Sequence, residues 1–428
     1  MVHRLDEALG MTTREAAASP LLLVTIDRLP AGLLPALGCG WVAMPTLNNL
    51  AARGVVLDRL IATTDDPAQI LAALAGVGPE GKPGPWPLLA VAAAAGLHPA
   101  VITDEHWLAT TLAEWQTTSL SPLTTLHVPI RATAAVADDI AATNLGRLFS
   151  AAATSLATGN HRFVWVHAGS LGQTWDAPEE FRAAYVDPDD PSPPPGAAVP
   201  DLPVDASTDP DVGVSFRHVL AGQLTLLDRC LGRLVDATTT GEATSWTILV
   251  AGVRGLGIGL HGRLGCGPLP PFSELIHLPA VLVDHQGRMA AQRFGGLVIP
   301  ADLGTTLLAA VAQAPMNCTD PQGGRSLGSL LDDWQGPGRD RVICTAARGV
   351  AVITPAWHLV VPALPAGAGE EPPLPRLYAK PDDFFECSDV ANRCPAVLEE
   401  LTALADRATA DPGSAWTATL SKAAQWSS

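Results

Sequence analysis

The chain has 428 residues, of which 47% are hydrophobic and only 16% are charged, and its formal charge at pH 7 is −17. This composition supports a large globular core and argues against disordered, collagen-like and coiled-coil proteins. The acidic balance also argues against nucleic acids and anionic membranes as partners, because both carry charge of the same sign.

The beginning of the chain carries no recognisable targeting signal. Residues 1–20 are mixed in charge and are predicted to form an N-terminal extension. The first apolar run, Leu21–Ile26, is too short for a signal peptide or a membrane span. The seven cysteines are an odd number and include no CxxC pair, so neither a zinc site nor a disulfide framework is indicated. These features predict a cytoplasmic protein without a membrane anchor.

Strand-like runs then alternate with helical patterns, which is typical of an α/β fold. Buried strands are predicted at 21–27, 101–103, 163–167, 246–251 and 279–284, and helices at 46–53, 66–75 and 216–235. The helix at 66–75 has the clearest start, since Asp66 is a good N-cap and Pro67 suits the first turn. We therefore expect a large mixed central sheet sandwiched by helices.

Two further segments differ from this pattern. Residues 186–213 are acidic and rich in proline, so they are predicted to form a long inserted loop within a main domain at 21–336. After residue 336 the chain changes to short alternating runs. Their spacing predicts a C-terminal subdomain at 337–428 with a small antiparallel sheet and a last helix near 395–408.

Several motifs, in order, resemble those of the sulfatases, which belong to the alkaline phosphatase superfamily. LLLVTIDRLPAGLL and MPTLNNLAARG resemble the family's opening strand, which ends in Asp, and its TPNLDRLAAEG helix. FVWVHAGSLGQTWDAPEEF is similar to VHxxxPHxPWxxP, and WTILVAGVRGLGIGLHG is similar to TxVVFTSDHGExLGEHG. LPRLYAKPDDFFECSDVAN resembles the late LYDLxxDPxExxN signature. The resemblance spans residues 21–404 and implies the sulfatase fold.

The resemblance also implies a calcium site, which this sequence keeps only in part. Family members hold calcium with carboxylates and an Asn or His. The first metal-binding Asp falls on Asp27, but Arg28 and Gly32 stand where a second acid is found. The family's later metal-binding pair falls on Val253 and Arg254. No cofactor is therefore expected, and calcium would be expected only if the ancestral site survives.

The family's catalytic groups are also replaced. The nucleophile, a Cys-derived formylglycine or a Ser or Thr, falls on Asp65, and the Arg that follows it falls on Gln69. The catalytic His falls on Gly172, whereas His261 matches the His of LGEHG. The candidate catalytic residues are thus Asp65, Gln69 and His261. An acid such as Asp65 more often only gains from a helix dipole, and a lone His on a glycine-rich loop is more often solvated.

We expect a guanidinium to replace the metal and to pair with Asp27, with Asp65 as a second candidate partner. Arg28 and Arg254 are the candidate anion-binding residues. The leading functional hypothesis is a sulfatase-like pseudoenzyme with a binding or scaffolding role. The alternative is an active hydrolase of sulfate or phosphate esters with an altered, metal-poor site. A third hypothesis is a partner protein of an active relative, which would bind through residues 186–213. The expected partners are a small anionic ester or another protein.

Overall fold

A computed structural model describes residues 18–76, 86–119, 122–132, 134–239, 246–313, 323–328, 338–363 and 373–425. The first 17 residues of the predicted N-terminal extension and the predicted domain boundary near residue 336 lie outside these ranges. The other predicted elements fall within them.

A large mixed sheet occupies the centre of the molecule. Its strands are β1 (Leu21–Ile26), β2 (Val55–Ile61), β3 (Pro99–Thr103), β4 (Thr124–His127), β5 (Phe163–Ala168), β7 (Thr247–Gly252), β10 (His277–Val283) and β11 (Gln292–Val298). Small strands β6 (Asp201–Pro203), β8 (Gly257–Ile258) and β9 (Arg263–Gly265) form a separate sheet in the order β6-β9-β8. The central order is β11-β2-β10-β7-β1-β5-β3-β4. The predicted α/β fold class is confirmed.

Helices cover both faces of the central sheet. The bounds are α1 (Pro45–Arg53), α2 (Pro67–Leu74), α3 (Pro87–Ala94), α4 (His106–Ser119), α5 (Asn144–Ala157), α6 (Glu179–Ala183), α7 (Pro210–Ala237), α8 (Ser273–Ile276) and α9 (Pro300–Ala312). Three more follow the C-terminal sheet, namely α10 (Pro395–Ala410), α11 (Pro412–Thr417) and α12 (Lys422–Gln425). None of the helices in the described ranges has the length and apolar character that a membrane span requires.

Strand β1 shows why the sheet is buried on both sides. It pairs in parallel with β5 on one side and β7 on the other, and all six of its residues are buried. Because strand side chains alternate between faces, Leu21 and Leu23 belong to one apolar core, while Leu22 and Val24 belong to the other. A continuous apolar run is therefore the pattern expected of a strand that is buried on both faces.

The segment 186–213 is more ordered than predicted. It contains β6, and α7 begins at Pro210 rather than near residue 216. Ala197 is fully buried, and the buried Arg182 donates to the carbonyl oxygens of Pro194 and Gly196 at 2.6 Å. The rest of the segment is irregular, and backbone pairing in β6 together with the buried Arg182 orders parts of it.

The predicted C-terminal meander is confirmed. Strands β12 (Val342–Ala346), β13 (Gly349–Ile353), β14 (Trp357–Pro362) and β15 (Arg376–Ala379) pair antiparallel in sequence order. Leu401 and Leu404 of α10 pack with this sheet in a third apolar core. The small sheet also contacts the central domain, since the backbone N–H of Thr345 donates to the carbonyl of Thr63 at 3.0 Å.

Candidate functional site

The candidate site lies where several strands of the central sheet end. Strands β1, β3, β5 and β7 are parallel, and β2 runs in the same direction because it is antiparallel to β10, which is antiparallel to β7. Their carboxyl ends therefore meet at one edge, which is the usual location of ligand sites in α/β sheets. The loops at this edge carry Asp27 and Arg28 after β1, Asp65 after β2, Asp104 and Glu105 after β3, and Arg254 after β7.

A bidentate ion pair joins two of these loops. Nε of Arg254 donates to Oδ1 of Asp27 at 2.9 Å, and Nη2 donates to Oδ2 at 2.6 Å. The Asp27 side chain is only 8% exposed. Burial alone would raise the pKa of Asp27, but Arg254 and Arg28 outweigh that effect and lower it. The predicted pairing of a guanidinium with Asp27 is confirmed, and Asp27 is held as a carboxylate.

Arg28, which directly follows Asp27, is the second arginine beside this carboxylate, and its backbone conformation is strained. Its φ is 62°, in the left-handed region that non-glycine residues rarely adopt. Its Nη1 donates to the carbonyl of Gly255 at 3.2 Å, and its Nε lies 4.0 Å from Oδ2 of Asp27. Burial, followed by repulsion from Arg254, lowers the pKa of Arg28. Two guanidiniums thus lie beside the Asp27 carboxylate, and the charge of Asp65 also acts on both.

Two glycines allow close packing around the site, Gly172 against Arg28 and Gly255 against the backbone of Glu274. A Cβ at Gly172 would lie 2.9 Å from Cγ of Arg28, and a Cβ at Gly255 would lie 1.9 Å from the carbonyl oxygen of Glu274. Position 172 is the one that matches the family's catalytic histidine. A histidine there would force the Arg28 side chain to shift from its present position.

Asp65 has its side chain occupied by the C-terminal sheet. The backbone N–H of Ala347 donates to its two carboxylate oxygens at 3.1 and 3.2 Å. Arg254 reaches Asp65 through the backbone carbonyl, at 3.4 Å from Nη1. The expected side-chain ion pair between a guanidinium and Asp65 is therefore wrong. Nε and Nη2 of Arg254 already donate to Asp27.

The start of α2 is as predicted, and it explains the position of Gln69. Asp66 caps the helix by accepting from the N–H of Ala68 at 2.9 Å, and Nε2 of Gln69 donates to the other oxygen of Asp66 at 3.0 Å. Gln69 thus contacts the cap of its own helix, a capping arrangement typical of first turns. Its proposed catalytic role stays a prediction.

His261 lies in a buried polar cluster. Its side chain is 2% exposed, its Nδ1 lies 2.9 Å from Oε2 of Glu274, and its ring stacks on Phe272 with 3.8 Å between centroids. The expectation of a solvated loop histidine is wrong, because Glu274 and Glu386 supply acceptors that the local sequence does not reveal. Its contacts are separate from those of Asp27 and Asp65.

The structure adds acidic residues that sequence reasoning missed. Both oxygens of Asp104 accept backbone N–H groups, from Gly169 at 2.7 Å and Ser170 at 3.2 Å, and burial raises its pKa to about 6. Glu105 accepts from Gln173 at 3.1 Å, and burial followed by the Asp104 charge raises its pKa. Their position directly after β3 could have identified them as site residues, since the carboxyl ends of parallel strands converge at one edge of the sheet.

Cys266 is a further residue that the structure brings close to the site. Its Sγ is 3.9 Å from the Cβ position of Gly172, and the charges of Arg28 and Arg254 act on it. Burial nevertheless raises the pKa of its thiol, so at neutral pH it is a weak nucleophile.

The residues at this site do not fit calcium. Calcium in proteins takes six to eight oxygen ligands, including carboxylates free to coordinate it. Here both oxygens of Asp27 accept from Arg254, and Arg28 adds a second positive charge beside it. Across the described ranges, no three His, Cys, Asp or Glu side chains come together as a metal-binding group.

Two buried histidines predict a loss of stability in acid. Burial lowers the pKa of His167, on β5, to about 4, and it lowers that of His277, on β10, to about 4. The unfolded chain binds more protons below pH 6.5, so the free energy of unfolding should fall between pH 6.5 and pH 4, by about 3 kcal/mol for each histidine.

Urea denaturation at a series of pH values measures this effect. In the variant His167→Gln, the decrease in unfolding free energy between pH 6.5 and pH 4 should be smaller by about 3 kcal/mol than in the unaltered chain. The exposed His106 provides a matched control, since His106→Gln should leave the pH dependence unchanged. Identical profiles for His167→Gln and the unaltered chain would contradict the prediction.

The chain matches no family model, and no curated protein matches it. Solved structures do match. The phosphonate monoester hydrolase of Agrobacterium radiobacter has a TM-score of 0.63 at 18% identity, over 93% of this chain and 94% of that one. The phosphonate monoester hydrolase from Silicibacter pomeroyi has a TM-score of 0.66 at 16% identity, over 92% and 94%. A 2-O GAG sulfatase has a TM-score of 0.63 at 14% identity, over 94% and 95%.

Proposed function

We propose that this chain, which has the fold of sulfatases and phosphonate monoester hydrolases, is a binding or scaffolding protein that no longer hydrolyses esters. The observation that carries the proposal is the bidentate pair between Asp27 and Arg254. A guanidinium that donates to both carboxylate oxygens takes about half of their lone-pair sites and places its own positive charge where a cation would bind. The pair fixes the loops after β1 and β7 to each other without supplying a Lewis acid.

The positions of the candidate catalytic groups support the same proposal. Asp65 accepts hydrogen bonds from Ala347, and Gln69 contacts Asp66. His261 is almost fully buried beside Glu274. A nucleophile or a general base must come within hydrogen-bond reach of the reacting group. In this arrangement each of the three is committed to a structural contact instead.

Calcium binding gives the direct test. Isothermal titration calorimetry of the purified chain with calcium chloride should show no stoichiometric binding, and elemental analysis should find no bound calcium. Arg254→Asn frees both oxygens of Asp27 and should increase weak calcium affinity. Arg53→Gln, which alters an exposed arginine of α1, is the matched control. Tight calcium binding by the unaltered chain, at one ion per chain, would refute the proposal.

An activity assay tests the alternative of an active, metal-poor hydrolase. The chain should not accelerate hydrolysis of 4-nitrophenyl sulfate or 4-nitrophenyl phosphate, with or without calcium. Saturable turnover that is lost in Asp65→Asn or His261→Gln, and kept in the exposed control Asp406→Asn, would establish the alternative. Turnover that survives both substitutions would point to a contaminating enzyme.

We also propose that the chain works in a reducing compartment such as the cytoplasm. In the described part of the chain the cysteines are free thiols, namely Cys39, Cys230, Cys266, Cys344, Cys387 and Cys394. Cysteines that remain as thiols are typical of proteins in reducing compartments. Thiol titration of the freshly purified, denatured chain should therefore recover all of the cysteines without a reductant.

A protein partner that binds the acidic segment 186–213 is a further proposal. Deleting this segment is a poor test, because β6 pairs with β9 and Arg182 holds the carbonyls of Pro194 and Gly196. The double variant Asp187→Asn/Asp189→Asn removes exposed charge instead. Loss of a co-purifying sulfatase-like chain, with unchanged thermal unfolding, would support the proposal, whereas retention of that chain would contradict it.

A further inference from the structure

We propose that a cavity of about 310 Å³, between the central sheet and the C-terminal sheet, binds a small aromatic carboxylate that also carries a hydroxyl group. The cavity is lined by residues of β2, β10, β11, β13 and the loop after β15. It shares no lining residue with the Asp27–Arg254 site. Its volume falls in the range of pockets that hold small organic ligands.

Arg59 is the cation that would receive the carboxylate. Its Nε donates to the carbonyl of Gly295 at 2.7 Å, and its Nη1 donates to the carbonyl of Pro355 at 2.8 Å. Both acceptors are neutral, and Nη2 has no protein partner within the described ranges. Burial lowers the pKa of Arg59, although the neighbouring Asp58 acts in the opposite direction. The guanidinium is therefore oriented and partly desolvated without a bound counter-ion.

The other charges on the cavity wall are already compensated. Arg293 pairs with Asp58, and Lys380 lies 3.0 Å from Oε1 of Glu386. Lys380 also donates to the carbonyls of Asp383 and Phe384, at 2.8 and 3.2 Å. An anion entering the cavity would thus meet one uncompensated positive charge, at Arg59, in a chain whose total charge is strongly negative.

His277 is the residue that would accept a hydrogen bond from the ligand's hydroxyl group. Its Nε2 donates to the carbonyl of Asp58 at 2.7 Å, so this nitrogen carries the proton. Burial lowers the pKa of His277 to about 4, which keeps the ring neutral at pH 7. The Nδ1 atom is then an acceptor, and it has no protein partner in the described part of the chain. A ligand hydroxyl can donate to it.

Apolar side chains provide the space for an aromatic ring. Leu37, Ile61, Ile353 and Phe384 line the cavity, and the Phe384 ring lies 5.2 Å from the His277 ring. Aromatic groups at such separations pack favourably with further rings. A benzene ring with a carboxylate at one end and a hydroxyl at the other matches the acceptor, the cation and the apolar wall.

Calorimetric titration of the unaltered full chain gives the first test, with 4-hydroxybenzoate as the probe. We expect 1:1 binding, and at least tenfold weaker binding of 4-hydroxybenzamide, which has the same shape but no charge. Benzoate, which lacks the hydroxyl, should bind severalfold more weakly than 4-hydroxybenzoate. No binding of 4-hydroxybenzoate at millimolar concentration, or equal affinity for the acid and the amide, would overturn the proposal.

Two variants locate the ligand. Arg59→Gln should weaken binding of 4-hydroxybenzoate at least tenfold, whereas Arg53→Gln, on the exposed face of α1, should leave it unchanged. Leu37→Trp places a large ring in the cavity from its half-buried rim and should abolish binding, so it decides the matter if Arg59→Gln fails to fold. Undiminished binding in Leu37→Trp would overturn the proposal. Arg254→Asn should not affect binding, which separates this test from that of the proposed function.

Discussion

Replacing Asp302 with asparagine should lower the free energy of unfolding by about 3 to 5 kcal/mol, because it breaks a buried ion pair. The Asp302 side chain is 1% exposed, and the Arg339 side chain that pairs with it is 3% exposed. Nε of Arg339 donates to Oδ2 at 3.0 Å, and the backbone N–H groups of Ile299 and Arg325 also donate to the carboxylate. Asparagine would turn an NH₂ group toward donors and remove the Asp302 charge from beside the Arg339 guanidinium.

Urea denaturation followed by tryptophan fluorescence would measure this loss. Asp406→Asn is the matched control, since Asp406 is exposed on α10 and its substitution should change stability by no more than about 0.5 kcal/mol. If Asp302→Asn behaves like Asp406→Asn, the ion pair does not stabilise the fold.

Replacing Glu386 with glutamine should also lower the free energy of unfolding by about 3 to 5 kcal/mol, and the size of this decrease should depend on pH. Burial alone would raise the pKa of Glu386, but His358, Lys380 and Ser273 together hold it well below its usual range. Ser273 donates through its backbone N–H at 3.0 Å, and Lys380 lies 3.0 Å from Oε1. Glutamine leaves these donors and charges without a carboxylate.

The sign of the pH dependence follows from the lowered pKa. The contribution of Glu386 is fully present above its unfolded pKa of 4.5 and is lost as the pH falls toward the lower pKa of the folded state. The difference in unfolding free energy between the unaltered chain and Glu386→Gln should therefore be smaller at pH 3.5 than at pH 7.5, by about 1 kcal/mol. Glu399→Gln, at an exposed site on α10, should show no difference at either pH. If the unfolding free energies of the unaltered chain and Glu386→Gln differ by the same amount at both pH values, the lowered pKa of Glu386 is contradicted.

Local patterns in the sequence were enough to predict parts of the fold. The start of α2 is set by Asp66 and Pro67, which act within one turn, and the apolar run of β1 directly reports burial on both faces. Strand β2 was missed because Asp58 and Arg59 interrupt its apolar run, and their partners lie on other elements. Such partners are far away in sequence, so no local pattern reveals them.

The candidate site also contains some contacts that the sequence could predict and others that it could not. The pairing of Asp27 with a guanidinium could be expected because strand ends converge and the matched ligand positions carry arginines. The contact between Asp65 and Ala347 could not, because it joins residues 282 positions apart through a backbone N–H that any residue except proline would supply. The burial of His261 depends in the same way on Glu274 and Glu386, which come from two other segments.

The close packing of Arg28 against Gly172 ties the side chains at these two positions to each other. A histidine introduced at Gly172 would place its Cβ 2.9 Å from Cγ of Arg28, so the Arg28 side chain would have to shift to admit it. Removing Arg28 still leaves Arg254 on both oxygens of Asp27. Substitutions at positions 28, 172 and 254 should therefore have non-additive effects on stability.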